Sequence, residues 1–157
     1  KELLQNIYLN GFETRDMVNF HGAASDENKW GEFVLESVRT GYYDGRLVGK
    51  VPILKKHENY QGKEIVAMRK IDTIIEDVGK GEYPNIIVMD IDGNEIHALK
   101  GMEKTLSFAS LRAIIIETRE STFNEANGII LSYGFKGINT SPENVQKQLW
   151  NMIYTRS

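Results

Sequence analysis

The sequence predicts an α/β domain of three layers around a mostly parallel sheet, and three observations point there. The first is Ile86-Ile87-Val88-Met89, an apolar run without alternation, the pattern of a parallel strand covered on both faces. It leads into Ile96, Leu99, Met102 and Leu106, spaced as the inward stripe of a helix. The second is a repeat of that strand-helix unit, with Ala113-Ile114-Ile115-Ile116 ended by Glu117 and a helix from about Asn124 to Tyr133 that stops at Gly134. The third is the pair of short segments Phe135 to Asn139 and Trp150 to Thr155, separated by the polar turn Ser141 to Lys147. Strands that close pair antiparallel, here at the end of the sheet.

The remaining elements follow in chain order. Leu3, Leu4, Ile7 and Tyr8 recur at helical spacing and Asn10-Gly11 supplies a stop, which predicts a short helix to about Leu9. Met17 to His21 reads as a strand leading into the small residues Gly22-Ala23-Ala24-Ser25-Asp26, where a backbone or ligand can approach closely or a plain turn can form. Between Trp30 and Tyr60, glycines and aromatics predict two strands, around Phe33 to Val38 and Leu47 to Leu54, joined by a loop. Within it Gly41-Tyr42-Tyr43-Asp44-Gly45 fits an ordinary hairpin or a flap. Lys63 to Ile71 reads as a strand, and Asp72 as the cap of a helix through Val78. Pro84 cannot join a central ladder, so the next strand begins after it.

Length and composition narrow the function. A chain of 157 residues suits one domain with its own core, expected over residues 1–157 and incomplete at its beginning. With 19 Lys and Arg against 22 Asp and Glu the formal charge is -3, which predicts no attraction to nucleic acid. The absence of cysteine removes disulfides, thiolate metal sites and cysteine nucleophiles. No run has membrane length and no signal-peptide core is visible, giving a cytoplasmic expectation without a membrane partner. His21, His57 and His97 are scattered and lack metal-ligand spacing, so no metal ligands are assigned.

Ligands of open α/β sheets bind beyond the carboxyl ends of the strands. Asp90, Asp92 and Glu95 stand at such an end. Asp92 and Glu95 also fit a capping box, with Asp in place of Ser or Thr, and would favour the positive pole of the helix. Asp90 has no capping role and marks a site, because burying an unpaired carboxylate is costly. His21 is a further general-base candidate, and Glu117 can line the cleft. Asp90-Ile91-Asp92-Gly93 also resembles the nucleophile motif of haloacid-dehalogenase-type phosphatases, which would require magnesium at Asp90 and Asp92. Asn94 stands where that motif has Thr or Val.

Read with their flanks, these residues carry a stronger resemblance. Val88-Met89-Asp90-Ile91-Asp92-Gly93, then Asn94-Glu95 and Leu99-Lys100-Gly101, lie between Ile71-Asp72-Thr73-Ile74 and Ala23-Ala24-Ser25-Asp26 upstream and Ile115-Ile116-Glu117 with Leu131, Gly134 and Phe135 downstream. Leu4, Asn6 and Asn10 fit a preceding helix. In this order they resemble the FkbM-type family of S-adenosylmethionine-dependent methyltransferases. Val88 replaces the family's Lys and Asp92 its Glu.

The resemblance implies the class I methyltransferase (Rossmann-like) fold, with this chain matching its later portion and the first strands and Gly-rich loop lying ahead of Lys1. It implies S-adenosylmethionine as cofactor and transfer of its methyl to a hydroxylated small molecule or sugar. Asp90 would stand nearest the transfer centre, Asp92 or Glu95 would accept a proton, and Ala24, Ser25 and Asp26 would lie toward the adenine. A truncated domain that only binds a small molecule or a protein is the non-enzymatic alternative. Oligomeric state is left open.

Overall fold

The computed structural model describes residues 2–12, 17–35, 37, 45–48, 61–139 and 149–157. In chain order these form α1 (Glu2–Leu9), β1 (Ala23–Ala24), β2 (Lys29–Leu35), β3 (Gly45–Leu47), β4 (Gly62–Arg69), α2 (Ile71–Asp77) and β5 (Ile86–Met89). There follow α3 (Glu95–Lys100), α4 (Glu103–Ser107), β6 (Ala113–Arg119), α5 (Glu120–Ser132), β7 (Lys136–Asn139) and β8 (Leu149–Thr155). The strands make two four-stranded sheets, ordered β1-β4-β2-β3 and β5-β6-β8-β7.

This corrects the expected three layers around one mostly parallel sheet. β1 pairs parallel with β4 and β5 with β6, whereas β2 runs antiparallel to β3 and β4, and β8 antiparallel to β6 and β7. The chemistry of the connections accounts for the difference. A parallel pair needs a crossover, which α3 and α4 provide between β5 and β6, while β2 is flanked on both sides by antiparallel partners, β3 and β4. The expected antiparallel strand pair at the C-terminus is present as β7 and β8.

The core lies on one side of the second sheet. Along β6, Ile114, Ile116 and Thr118 are buried, and Ala113, Ile115, Glu117 and Arg119 take the other face, the period of two that a pleated strand imposes. Leu99, Met102, Leu106, Ala126, Ile130, Met152 and Tyr154 are completely buried with Ile114 and Ile116. The opposite face is open: Ile86 is 60% exposed, Val88 72% and Ile115 37%. The reading of β5 as covered on both sides is therefore wrong among the described residues. An uninterrupted apolar run reports the type of strand more dependably than the number of faces covered.

Local boundaries moved for identifiable reasons. The single helix expected around Ile96 to Leu106 is two, because Gly101 closes α3 with amide bonds back to His97 and Ala98. A side chain at Gly101 would collide with the Ser25 carbonyl, so close packing against β1 requires glycine there. Met17 to His21 pairs with no strand among the described residues and exposes Met17, Val18 and Phe20. Glu117 does not end its strand, since β6 continues to Arg119 and α5 begins at Glu120. Residues 41–44 of the hairpin or flap, residues 49–54 of the expected second strand, the turn 141–147 and His57 lie outside the described residues.

Candidate functional site

The site is built where β5 and β6 end. Because β5 and β6 are parallel with Val88 opposite Ile115, a step of two residues along each strand leads from that pair to Asp90 and Glu117. Both continue the exposed parity of their strands, and so reach the open face of the sheet. Asp92 joins them: one carboxylate oxygen from each of Asp90, Asp92 and Glu117 lies within 4.8 Å of the others.

Asp92 arrives there through an unusual turn. Its φ is +52° and that of Gly93 +100°, a left-handed excursion that Asp tolerates better than most residues. Helix α3 accordingly starts late, with Asn94 in the N-cap position and no side-chain cap bond. The expected Asp92 cap is thus corrected, and Asp92 is left exposed beside Asp90. Glu95 still reaches back, as its Oε1 accepts the Gly93 amide at 2.8 Å. Its Oε2 has no hydrogen-bond partner among the described residues although Glu95 is only 3% exposed.

These groups repel one another electrostatically. Partial burial pushes the Glu117 carboxyl above the ordinary glutamate range, and Asp90, Asp92 and Glu95 push it further. Arg119, two residues along the same strand face, opposes the shift, with its Nη2 3.9 Å from Asp92 Oδ1. A carboxylate raised in this way, with an open face, takes up a proton more readily than an ordinary glutamate.

The small-residue segment docks on the flank of α3. Asn94 Nδ2 donates to the Ala24 carbonyl at 2.5 Å, and His97 Nδ1 lies 3.2 Å from Asp26 Oδ2 without the alignment of a hydrogen bond. His97 is therefore a partner of Asp26 rather than the freely solvated residue its helix position suggested. Ser25 is fully buried; its amide donates to the Arg69 carbonyl and its hydroxyl to Asp26 Oδ1. Ser25 thus shapes the segment, while Ala24 and Asp26 keep partial exposure.

Of the candidates read from sequence, Asp90 and Asp92 come together, Glu95 packs beneath their turn, and Ala24, Ser25 and Asp26 are tied to the same helix. His21 is exposed ahead of β1 and does not belong to the carboxylate group. Sequence reasoning missed the joining of Glu117 to Asp90 and Asp92, and the clamp made by Asn94. The first had a signal, since 86, 88 and 90 share one parity and 113, 115 and 117 another. Asp72 was assigned to its own helix, but Lys70 holds that N-cap position. Its carboxylate accepts bonds from the Lys104 and Thr105 amides and the Thr105 hydroxyl, capping α4 across space.

Among the described residues no helix is long and apolar enough to cross a membrane. Comparison with curated proteins and with solved structures gives no match. The family model described as the methyltransferase FkbM domain matches residues 10–136, spanning β1 through β6, the turn that carries Asp90 and Asp92, and the whole of α5. With most of the chain matched, this protein belongs to the FkbM methyltransferase domain family.

Proposed function

We propose that the chain serves S-adenosylmethionine-dependent methyl transfer to the oxygen of a hydroxylated small molecule, with a sugar as one such acceptor. The observation that carries the reading is the convergence of Asp90, Asp92 and Glu117 just past the carboxyl end of the parallel pairing of β5 with β6, in a chain of a methyltransferase family. That is where α/β sheets place ligands. The family match weighs against the phosphatase reading of Asp90 to Gly93.

The residues suit the cofactor in chemistry. The bound cofactor supplies an electrophilic methyl on a positively charged sulfur, and carboxylates favour such a cation while also accepting bonds from hydroxyls. The apolar strip of Ile86, Val88 and Ile115 beside them offers surface to an aromatic ring. Asp26 and Ala24, held to α3, provide the adenine side.

Asp90 and Asp92 orient the acceptor hydroxyl, since alignment of reacting groups contributes roughly 7–11 kcal/mol in well-oriented cases. Glu117 accepts the proton that the hydroxyl loses, its raised pKa suiting a base better than an ordinary carboxylate. Glu95, buried and bonded to the Gly93 amide, holds the turn. His21 is kept as the alternative base.

Calorimetric titration of S-adenosylmethionine tests the reading, followed by mass-spectrometric detection of methylated products from a panel of hydroxylated metabolites and sugars. Saturable binding and a product lighter in yield for Glu117→Gln are expected. Absence of cofactor binding would overturn the enzymatic reading and leave a domain that only binds small molecules or protein.

A further inference from the structure

The residues around α3 that grip the small-residue segment form a stripe. Asn94, His97 and Gly101 recur at steps of three and four, so they lie along one side of the helix. Each meets one residue of Ala24-Ser25-Asp26. Asn94 Nδ2 donates to the Ala24 carbonyl, Gly101 abuts the Ser25 carbonyl closely enough to exclude a side chain, and His97 Nδ1 stands 3.2 Å from Asp26 Oδ2. The helix itself is anchored, because Ile96, Ala98 and Leu99 are buried in the core. A short segment is thus set in place by a rigid element, the condition for holding a binding group to a fixed geometry.

His97 is the member of the stripe that packing alone does not explain. Its Nδ1 is enclosed, makes no aligned hydrogen bond among the described residues, and faces a carboxylate oxygen. The other oxygen of Asp26 accepts the Ser25 hydroxyl at 3.1 Å, so the carboxylate is addressed from its own segment on one side and from α3 on the other. The His97 and Asp26 side chains remain 27% and 26% exposed, which leaves the pair within reach of a ligand. A carboxylate only accepts hydrogen bonds, and a fixed one suits the donors of a nucleoside, the exocyclic amine of adenine and the ribose hydroxyls.

We infer that His97 is a positioning residue for cofactor binding: its Nδ1 holds the Asp26 carboxylate where it accepts hydrogen bonds from the nucleoside half of S-adenosylmethionine. The inference rests on the methyl-transfer reading for its ligand and on the pair of His97 with Asp26 for its geometry. His97 acts through Asp26, so its loss falls on the nucleoside half and not on proton transfer at Glu117.

The experiment compares the parent chain with His97→Ala and His97→Asn. Alanine removes the imidazole without lowering helix propensity, and asparagine restores a donor at the place of Nδ1. The ligand is 5′-methylthioadenosine, which carries the nucleoside without the amino-acid half. Calorimetric titration should show about tenfold weaker binding in His97→Ala, the weight of one hydrogen bond to a charged group, and recovery of most of it in His97→Asn. Amide exchange at Ser25 and Glu27, followed without ligand, should quicken in His97→Ala alone, because the segment loses its hold on α3. Melting midpoints should stay close to that of the parent, since the side chain is partly exposed. Equal affinity in all three proteins, or unchanged exchange in His97→Ala, would overturn the inference. So would His97→Asn binding as weakly as His97→Ala, which would assign the effect to ring packing. Binding of S-adenosylmethionine by the parent with no difference among the variants would keep the methyltransferase reading and reject the role of His97. Binding of neither ligand by the parent would reject that reading and the nucleoside role together.

Discussion

Asn94 Nδ2 donates to the Ala24 carbonyl at 2.5 Å, joining the helix behind the carboxylates to the sheet that carries the small-residue segment. Asn94 is 5% exposed, so its removal leaves that carbonyl short of a partner in a poorly hydrated place. Asn94→Ala should cost about 1–3 kcal/mol, read from urea unfolding. It should also weaken cofactor binding, because Ala24 and Asp26 would lose their fixed distance from Asp90. Unchanged stability would mean the bond is replaced by water.

Asp72 and Thr105 make the second link across the chain. Asp72 Oδ1 accepts the Thr105 amide at 2.9 Å and its hydroxyl at 2.6 Å, while Oδ2 accepts the Lys104 amide at 2.9 Å. Loss of a helix cap typically costs about 0.5–2 kcal/mol, and Asp72→Ala should fall at the upper end. In a double-mutant cycle with Thr105→Val, a coupling of about 0.5 kcal/mol or more is expected. Additive effects would show that Asp72 acts on its own helix.

Those two links explain which parts of the fold were legible. The apolar stripe Ile96, Leu99, Met102 and Leu106 and the stops at Gly11 and Gly134 are local patterns, and all appear: the four apolar residues are buried and both glycines have positive φ. Asp72 looked like a local cap because its neighbours permit one; its real partners lie 32 and 33 residues away. The same holds for Asn94 and Ala24, separated by 70 residues. Sheet organisation was misread because β2 begins at Lys29 and runs through Trp30 and Gly31, residues that resemble loop, and pairs antiparallel with β4 over its whole length. The carboxylates Asp90 and Asp92 were legible, while Glu117 needed the register of β5 on β6.

Acid should affect the candidate site with a definite sign. Glu117 has its folded pKa raised by burial and by neighbouring carboxylates, so the native state binds this proton more tightly than the unfolded chain. Its contribution to stability is therefore greatest at low pH and declines as pH rises from the unfolded value through the raised native one. Glu117→Gln should abolish that decline and be the more stable protein at neutral pH. Melting midpoints of both proteins across mildly acidic to neutral pH check this; parallel profiles would contradict it.

Val88, 72% exposed beside Ile86 and Ile115, occupies the position where the resembled family carries Lys. Val88→Lys should leave stability within about 0.5 kcal/mol, as expected for an exposed site. It places a charge on an apolar face next to the edge of β5 that has no paired strand among the described residues, and charges there suppress strand-to-strand association. Sedimentation should show less self-association than in the parent chain. A large loss of stability would mean that Val88 is covered in solution.

Arg156 closes the core from the end of the chain. Its Nη1 donates to the carbonyls of Leu106 at 2.9 Å and Tyr133 at 3.0 Å, and its Nη2 to those of Leu111 at 3.1 Å and Phe108. The guanidinium also lies 4.4 Å over the Phe135 ring, so one planar cation gathers the ends of α4 and α5 and the approach to β6. Arg156→Ala strands several carbonyls, each costing about 1–3 kcal/mol where water cannot replace the donor, and a net loss of about 2–4 kcal/mol is expected. Arg156→Lys keeps the charge but not the forked donors or the stacking plane, so it should recover less than half of that loss in urea unfolding. Full recovery by Lys would assign the effect to charge alone and exclude the geometry of the fork as its cause.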